Sequence, residues 1–465
     1  MSGLRPVVII GAGPAGMAAA ITLRQFDIPV VVVDEQMAPG GQIWRAVTAD
    51  RPQSLSRALG QDYSAGLGHV RQFLACGAEM RFGTAAWQIE PEWRVFLRKD
   101  GNAEIQSFSQ VLLATGAQER PAPFPGWTLP GVVSVGGAQI MLKTSGQIPS
   151  GPVWVAGSGP LPLLYIMQIM RLGVRPAGFL DTTPLANRRT ALAQAASAAR
   201  GWRDLAKGAA WLGALRRSGV PIIKDVAALR AVGDGRLTAV RYRSRRGEER
   251  EVSAAVLLVH EGVVPAIHAT QALGCEHRWH DQQLCMAPVL DAWSETSRQG
   301  LFVAGDGADI GGARAAWLRG QVAGIGIAFR RGCLDLDQAE RHVAPVRRKL
   351  DQALASRRFL DALFRPRPEI FAPDDETIIC RCEEVTAGCI RELAIGEAAP
   401  NQIKAHTRIG MGPCQGRQCG YSLSHILAAA QQRPVADIGF MKVRPPLRPI
   451  SFSELAGLQS EEPAP

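Results

Sequence analysis

The chain contains no apolar run of about 18 residues free of polar interruption, so it offers no candidate transmembrane helix. The apolar stretch from Val7 to Leu23 is broken by Gly11, Gly13, Pro14 and Gly16. It also lacks the basic leader and small-residue cleavage pattern of a secretory signal. Cysteine is sparse, 9 in 465 residues, too few for a disulfide scaffold. A cytoplasmic, reducing setting is therefore the expectation, in which cysteines close in sequence read as ligands or redox groups before they read as bridges. No Cys-x-x-Cys or Cys-x₄-Cys lies near a nucleotide motif, and Pro39-Gly40-Gly41-Gln42-Ile43-Trp44 holds no cysteine pair. That absence disfavours a disulfide reductase. No nucleophile–base pair, metal-hydrolase motif or acid/base dyad stands out either.

What is present is a globular composition, 46% hydrophobic and 20% charged, which excludes wholesale disorder. The net charge is +10. The basic residues Arg188, Arg189, Arg200, Arg203, Lys207, Arg216 and Arg217 sit in an Ala-rich helical stretch without a groove-reading motif. They read as a solvated face, or as a docking surface for an acidic partner, and not as a nucleic-acid site.

The first 35 residues spell one βαβ unit. Val7-Val8-Ile9-Ile10 suits a buried parallel strand, a helix is expected over 17–26, and Pro29 to Val33 is a second strand ending in Asp34-Glu35. Between strand and helix stands Gly11-Ala12-Gly13-Pro14-Ala15-Gly16. Gly11 allows the tight turn, Gly13 lets backbone amides approach a pyrophosphate at the helix N-terminus, and Gly16 lets helix and strand close up. Glu35 is placed to accept hydrogen bonds from a ribose.

A second βαβ unit begins after the Pro-rich connection of residues 121–130. Pro152 to Ala156 leads into Gly157-Ser158-Gly159-Pro160-Leu161-Pro162, a helix over 163–172, and a strand from Ala177 to Leu180 ending in Asp181. Pro162 replaces the third glycine, which changes the turn and points to a nicotinamide site lost or altered. A working NAD(P) site and another adenine nucleotide there are further readings. A hairpin is expected from Leu237–Tyr242 and Arg250–Val259 around Arg246-Gly247-Glu248. A late strand at 301–303, running into Gly305-Asp306-Gly307, closes a discontinuous first domain.

The fold class is thus α/β: two Rossmann-like dinucleotide-binding domains plus a small C-terminal helical domain. The boundaries are 1–125 with 285–335 for the first, 126–284 for the second, 336–371 for a helical connector, 372–450 for the cysteine-bearing domain and 451–465 for a tail. The tail from Gln459 onward is polar, Pro-rich and expected to be disordered.

Cys380-Arg381-Cys382 and Cys414-Gln415-Gly416-Arg417-Gln418-Cys419 give two close thiol pairs. Four thiolates in this pattern can hold one [2Fe–2S] cluster or one Zn²⁺. Cys-x-Cys is tight for a zinc knuckle and better suited to neighbouring corners of a cluster. Gly410, Gly412, Gly416 and Gly420 would let amides approach sulfur, and Arg381, Arg408 and Arg417 would supply positive charge. Both favour the reduced cluster. Cys389, a fifth nearby thiol, reads as core.

Gly11 to Gly16 with Glu35, Gly40-Gly41-Gln42, Ala114-Thr115-Gly116 and Gly305-Asp306 resemble the two-dinucleotide-domain flavoproteins. The C-terminal pattern is more specific. Cys380-x-Cys382, Gly410-Met411-Gly412-Pro413-Cys414-Gln415-Gly416-Arg417-x-Cys419 and Arg444-Pro445-Pro446-Leu447-Arg448-Pro449 resemble the bacterioferritin-associated-ferredoxin-like [2Fe–2S] domain fused to such a flavoprotein. That combination marks the α-type (A-type) subunits of opine oxidases, of dye-linked proline and D-hydroxyproline dehydrogenases and the matching component of hydrogen cyanide synthase. A similar block occurs in the α subunit of sarcosine oxidase.

The resemblance implies FAD on Gly11, Gly13, Pro14, Ala15, Gly16, Glu35, Gln42, Gly116 and Asp306, and a [2Fe–2S] cluster on Cys380, Cys382, Cys414 and Cys419. It implies an amino-acid-oxidase-like flavoprotein β subunit that oxidises the C–N bond of an opine, hydroxyproline or proline. A small ferredoxin-like γ subunit is a further candidate. Electrons would pass through this chain to a respiratory acceptor, which could hold the protein peripherally at the inner membrane. The competing readings are a glycine-oxidising hydrogen cyanide synthase subunit, an NAD(P)H-dependent ferredoxin-type reductase and a zinc-stabilised assembly subunit.

Overall fold

The computed structural model describes residues 5–458. The expected polar tail from Gln459 lies outside the described residues. Residues 451–458, placed with the tail on sequence grounds, instead form a short capped helix, Phe452–Ala456. Ser451 accepts from the Glu454 amide, and the Glu454 side chain returns to the Ser451 amide and to Arg98.

The first domain is built on a five-stranded parallel sheet in the spatial order Leu301–Val303, Gln110–Leu113, Val7–Ile10, Val30–Asp34, Glu79–Phe82. The first four are apolar and buried on both faces, as parallel strands can be, whereas the edge strand Glu79–Phe82 is only partly buried. Helices Pro14–Arg24 and Ala313–Arg330 cover one face, and the antiparallel strands Ala85–Glu90, Arg94–Lys99 and Asn102–Ser107 cover the other. The late strand pairs in parallel register with Gln110–Leu113, so the domain is discontinuous. The first helix begins at Pro14, three residues before the expected start. Proline at the first helical turn gives up an amide that has no intrahelical partner anyway.

The second sheet runs Ile222–Lys224, Gly178–Asp181, Val153–Ser158, Val256–Glu261, Val132–Ser134, all parallel. Its helix starts at Pro160, so both Pro160 and Pro162 fall in the first turn, where neither breaks the helix. The expected hairpin exists only as Ala239–Ser244 with Glu249–Ser253. The apolar run beyond Ala254 leaves it, and Val256–Glu261 enters the parallel sheet, paired on both sides with Leu257 and Leu258 fully buried, as an apolar run suits an interior parallel strand.

The chain crosses between the two folds on two strands, Ala117–Glu119 outward and Val263–Pro265 back, paired antiparallel. The return therefore falls well before the boundary at 284 read from sequence. Ala269, Leu273 and Cys275 already pack in the core of the first domain. The connector is a helix, Leu336–Ala353, capped by Asp335 and Gln338, followed by Arg357–Leu363. The C-terminal domain has its own core around Ile379, Ile390, Ile403, Leu423 and Ile426. Among the described residues no helix is long and apolar enough to cross a membrane.

Candidate functional site

At the carboxyl ends of the first sheet the glycine loop closes as its spacing requires. A Cβ on Gly16 would stand 1.8 Å from the Gly11 carbonyl oxygen, so only glycine permits this approach of helix to turn. Asp34 is committed to the backbone: Oδ2 accepts from the Ala12 amide at 2.6 Å and Oδ1 from the Gln36 amide at 2.8 Å. Burial pushes the Asp34 carboxyl up while those amides oppose the shift. Glu35 is the acid left at the mouth, where its Oε1 accepts from Arg448 Nε at 2.6 Å.

Gly41 lies against Gly13; a Cβ there would be 2.9 Å from the Gly13 Cα. The Gln42 side chain accepts from Arg45 at 3.0 Å. The Gly116 carbonyl accepts from the Ala266 amide at 3.0 Å, and Asp306 Oδ1 accepts from the amides of Gly311 and Gly312 at 3.0 and 3.1 Å. Asp306 thereby shapes the loop before helix Ala313–Arg330. Pro14 and Ala15 open the first helix, with Ala15 packed between the loop and that late helix. The cradle has the narrowness and free amides that a dinucleotide pyrophosphate needs.

The four cysteines come together as two facing pairs. Cys380 and Cys419, both buried, share a hydrogen bond through their sulfurs, and Cys382 is coupled in the same way to Cys414. Sharing one proton drives Cys380 down to about 5 and its partner Cys419 up; the Gly410 amide helps Cys380 as a thiolate. Cys382, at the exposed edge, is pushed up by desolvation and by the neighbouring Cys414.

Among the described residues no three His, Cys, Asp or Glu side chains are placed to hold a single metal ion. Two thiol pairs are a donor set that would suit a binuclear cluster, in which each iron takes two sulfurs, and would fit a mononuclear zinc less well. The glycines divide in role. Gly410 gives its amide to Cys380 and Gly412 packs on Cys382, whereas Gly416 makes room for Met441. Of the expected cations, Arg381 is exposed and Arg408 pairs with Glu383 at 3.0 Å. Arg417 is the one whose charge reaches Cys414. Cys389 packs at the edge of the C-terminal core.

Sequence reasoning missed the residues that hold these parts together. Lys143, 4% exposed, donates to the Gln42 carbonyl and to Gln139 Oε1, both at 3.0 Å, and burial lowers its pKa to about 7. Gln118 donates to the Arg417 carbonyl at 2.8 Å, and His268 Nε2–H to the Gln415 carbonyl at 3.0 Å. Burial pushes His268 down to about 4, so it donates as a neutral imidazole. No local pattern marks these residues, since each acts across the fold.

Two dinucleotide folds joined by a paired crossing ribbon, a pyrophosphate cradle in the first and a cysteine-rich domain at the end define a flavin-dependent oxidoreductase of the two-domain class. Residues 5–327 match the pyridine nucleotide-disulphide oxidoreductase family, which implies FAD, and residues 378–458 match the sarcosine oxidase A3 domain. The chain belongs to the family of the A-type subunits of opine oxidase. It is 43% identical to the A-type opine oxidase subunit of Rhizobium meliloti, covering 97% of this chain and 98% of that protein. It is 32% identical to the HcnB subunit of hydrogen cyanide synthase from Pseudomonas aeruginosa, covering 98% and 99%. The L-proline dehydrogenase structure from P. horikoshii superposes with a TM-score of 0.71 at 21% identity, covering 97% of this chain and 79% of that one, a likeness of fold.

Proposed function

We propose that this chain is the electron-transfer subunit of a heteromeric dehydrogenase that oxidises a secondary amine, an opine, D-hydroxyproline or proline. FAD lies on Gly11, Gly13, Pro14, Ala15, Gly16, Glu35, Gln42, Gly116 and Asp306. A [2Fe–2S] cluster lies on Cys380, Cys382, Cys414 and Cys419. Together these groups supply two-electron acceptance at the flavin and one-electron transfer at the iron. The chain's own residues orient and insulate them: Asp34 and Asp306 set the two loops of the cradle, and Gly410 and Arg417 stabilise negative charge on sulfur.

The observation that carries this reading is the pair of facing thiol pairs on a flavoprotein scaffold lacking a dithiol near its nucleotide loops. An amino-acid-oxidase-like flavoprotein partner supplies the substrate site, a small ferredoxin-like subunit is a further member, and a respiratory component at the inner membrane accepts the electrons from this cytoplasmic complex. The second dinucleotide fold keeps its architecture without nicotinamide chemistry, Pro162 standing in its first turn; an adenine nucleotide is its remaining ligand class.

The test is purification of the chain with its genomic neighbours, with flavin and iron content measured, followed by a substrate screen. Flavin, two irons per chain and an electron paramagnetic resonance signal after dithionite are expected, with turnover on a secondary amine. Cyanide release from glycine would select the second reading, which the 32% identity to HcnB over the whole chain favours. Rapid flavin bleaching by NADH, or zinc in place of iron, would overturn both.

A further inference from the structure

We propose that the C-terminal domain is part of the flavin site itself. Arg448 closes the ribose end of the cofactor, and the ligand loop Cys414–Cys419 is tied to the flavin domain so that filling the sulfur site tightens FAD binding. This rests on the assignment of FAD and cluster above.

The ties form a continuous path. One crossing strand leaves the first domain just after Gly116 and the other re-enters beside it, where the Gly116 carbonyl accepts from the Ala266 amide. Gln118 on one crossing segment and His268 just beyond the other donate to the carbonyls of Arg417 and Gln415, at 2.8 and 3.0 Å, on either side of Gly416. The same loop reaches onward. Gln415 donates to the Pro446 carbonyl, and Arg417 to the Leu447 carbonyl at 2.6 Å. Leu447 in turn gives its amide to the Trp87 carbonyl of the first domain at 2.6 Å, and the next residue, Arg448, meets Glu35 at 2.6 Å.

A loop fixed at both ends by sulfur–iron bonds, at Cys414 and Cys419, presents residues 446–448 in one arrangement. A loop free at both ends must be ordered when FAD binds, and the affinity falls by that cost. Linkage makes the effect reciprocal, so FAD should in turn protect the iron. A seam that served only to glue two domains would not need to end on Glu35 at the cradle's mouth.

The experiment measures FAD affinity by flavin fluorescence on the full chain, anaerobically, before and after iron is stripped by reduction and chelation. Stripping should weaken FAD by about ten-fold. Arg448→Gln should bind FAD as weakly as the stripped protein and show no further loss on stripping, and Arg448→Lys should recover part of the affinity. Gln118→Ala/His268→Ala should keep its iron yet bind FAD at the stripped level. Equal FAD affinity with and without iron in the unsubstituted chain overturns the coupling, and that comparison stands whether or not the variants fold. Wild-type affinity in Arg448→Gln overturns the role of Arg448. A chain that takes up neither FAD nor iron instead refutes the functional reading beneath.

Discussion

Glu119 and His260 meet 2.7 Å apart, one on the outgoing crossing strand and the other on the last strand before the chain returns. The Glu119 carboxylate also accepts from the Gly136 amide at 3.1 Å, at the first turn of helix Val135–Ser145. A carboxylate there satisfies an amide with no intrahelical partner and sits at the favourable end of the helix dipole. The pair thus fixes where the second domain's first helix starts relative to the ribbon that carries it.

Glu119→Ala should therefore leave two donors without acceptors and cost about 1–3 kcal/mol per stranded buried group. Glu119→Gln, which keeps an acceptor oxygen, should lose less. Urea denaturation of the two variants beside the unsubstituted chain checks the order; equal losses would show that the pair contributes only packing.

Lys143 gives a prediction with a sign. Its folded pKa, about 7, lies below the ordinary lysine value of 10.5 because the ammonium is buried. Between those values the unfolded chain holds a proton that the folded chain has released, so stability rises with pH across that window. Below about pH 7 both states are protonated and the full cost of the buried charge is present; above 10.5 both are neutral and it is gone. Lys143→Met removes this proton. The difference in unfolding free energy between the two proteins should shift in favour of Lys143 from pH 7 to 10. A difference flat over that range would mean the ammonium keeps its ordinary pKa.

How far the sequence reveals this architecture depends on the range of the interaction. Val7–Ile10, the glycine loop and Asp34 lie within one βαβ unit, and their spacing is set by the turn and the helix they build. The cysteine pairs are legible because two thiols within a few residues of each other stand out in a chain otherwise sparse in cysteine. The extent of the hairpin is not, because a short apolar run looks the same at a meander's edge and in a parallel sheet; Val256–Glu261 belongs to the latter. The structure places the return to the first domain before 284, which the sequence hides for a related reason. Ala269, Leu273 and Cys275 are ordinary apolar residues, and only tertiary contact assigns them to a domain. Gln118, His268 and Lys143 act on partners far away in sequence, so nothing beside them announces their roles; Arg448 stands in a recognisable motif, but its partner Glu35 is equally remote.

The close approach of the first and late helices predicts how flavin binding can be lost without touching an amide. A Cβ on Gly320 would stand 2.1 Å from the Ala15 carbonyl oxygen, so Gly320→Ala must push helix Ala313–Arg330 away from helix Pro14–Arg24. Overpacking of this kind typically costs about 1–3 kcal/mol. Because Asp306 and Gly312 lead into that helix, flavin content should fall with the melting temperature. Gly332→Ala, at a site with open space around it, bears only backbone strain and should keep its flavin. Flavin-to-protein ratios of the two purified variants decide it.

The connector predicts a different kind of failure. Arg367 Nε and Glu261 Oε1 are 2.8 Å apart with both side chains almost wholly buried; Arg367 also reaches the Ala227 carbonyl, and Thr182 donates to Glu261 at 3.2 Å. This ion pair pins the segment leading to the cysteine domain onto the end of the second sheet. Removing one partner strands the other charge away from water, so Arg367→Met and Glu261→Leu should each cost about 3–5 kcal/mol. Removing both leaves no charge to strand, and an apolar replacement of similar volume can be close to neutral. The double variant should thus be more stable than either single one, with a coupling in the double-mutant cycle well above the ~0.5 kcal/mol expected of independent sites. Additive losses would mean that the pair is solvated in the working protein and that the connector is held by the contact of helix Arg357–Leu363 with Leu185–Leu192 instead.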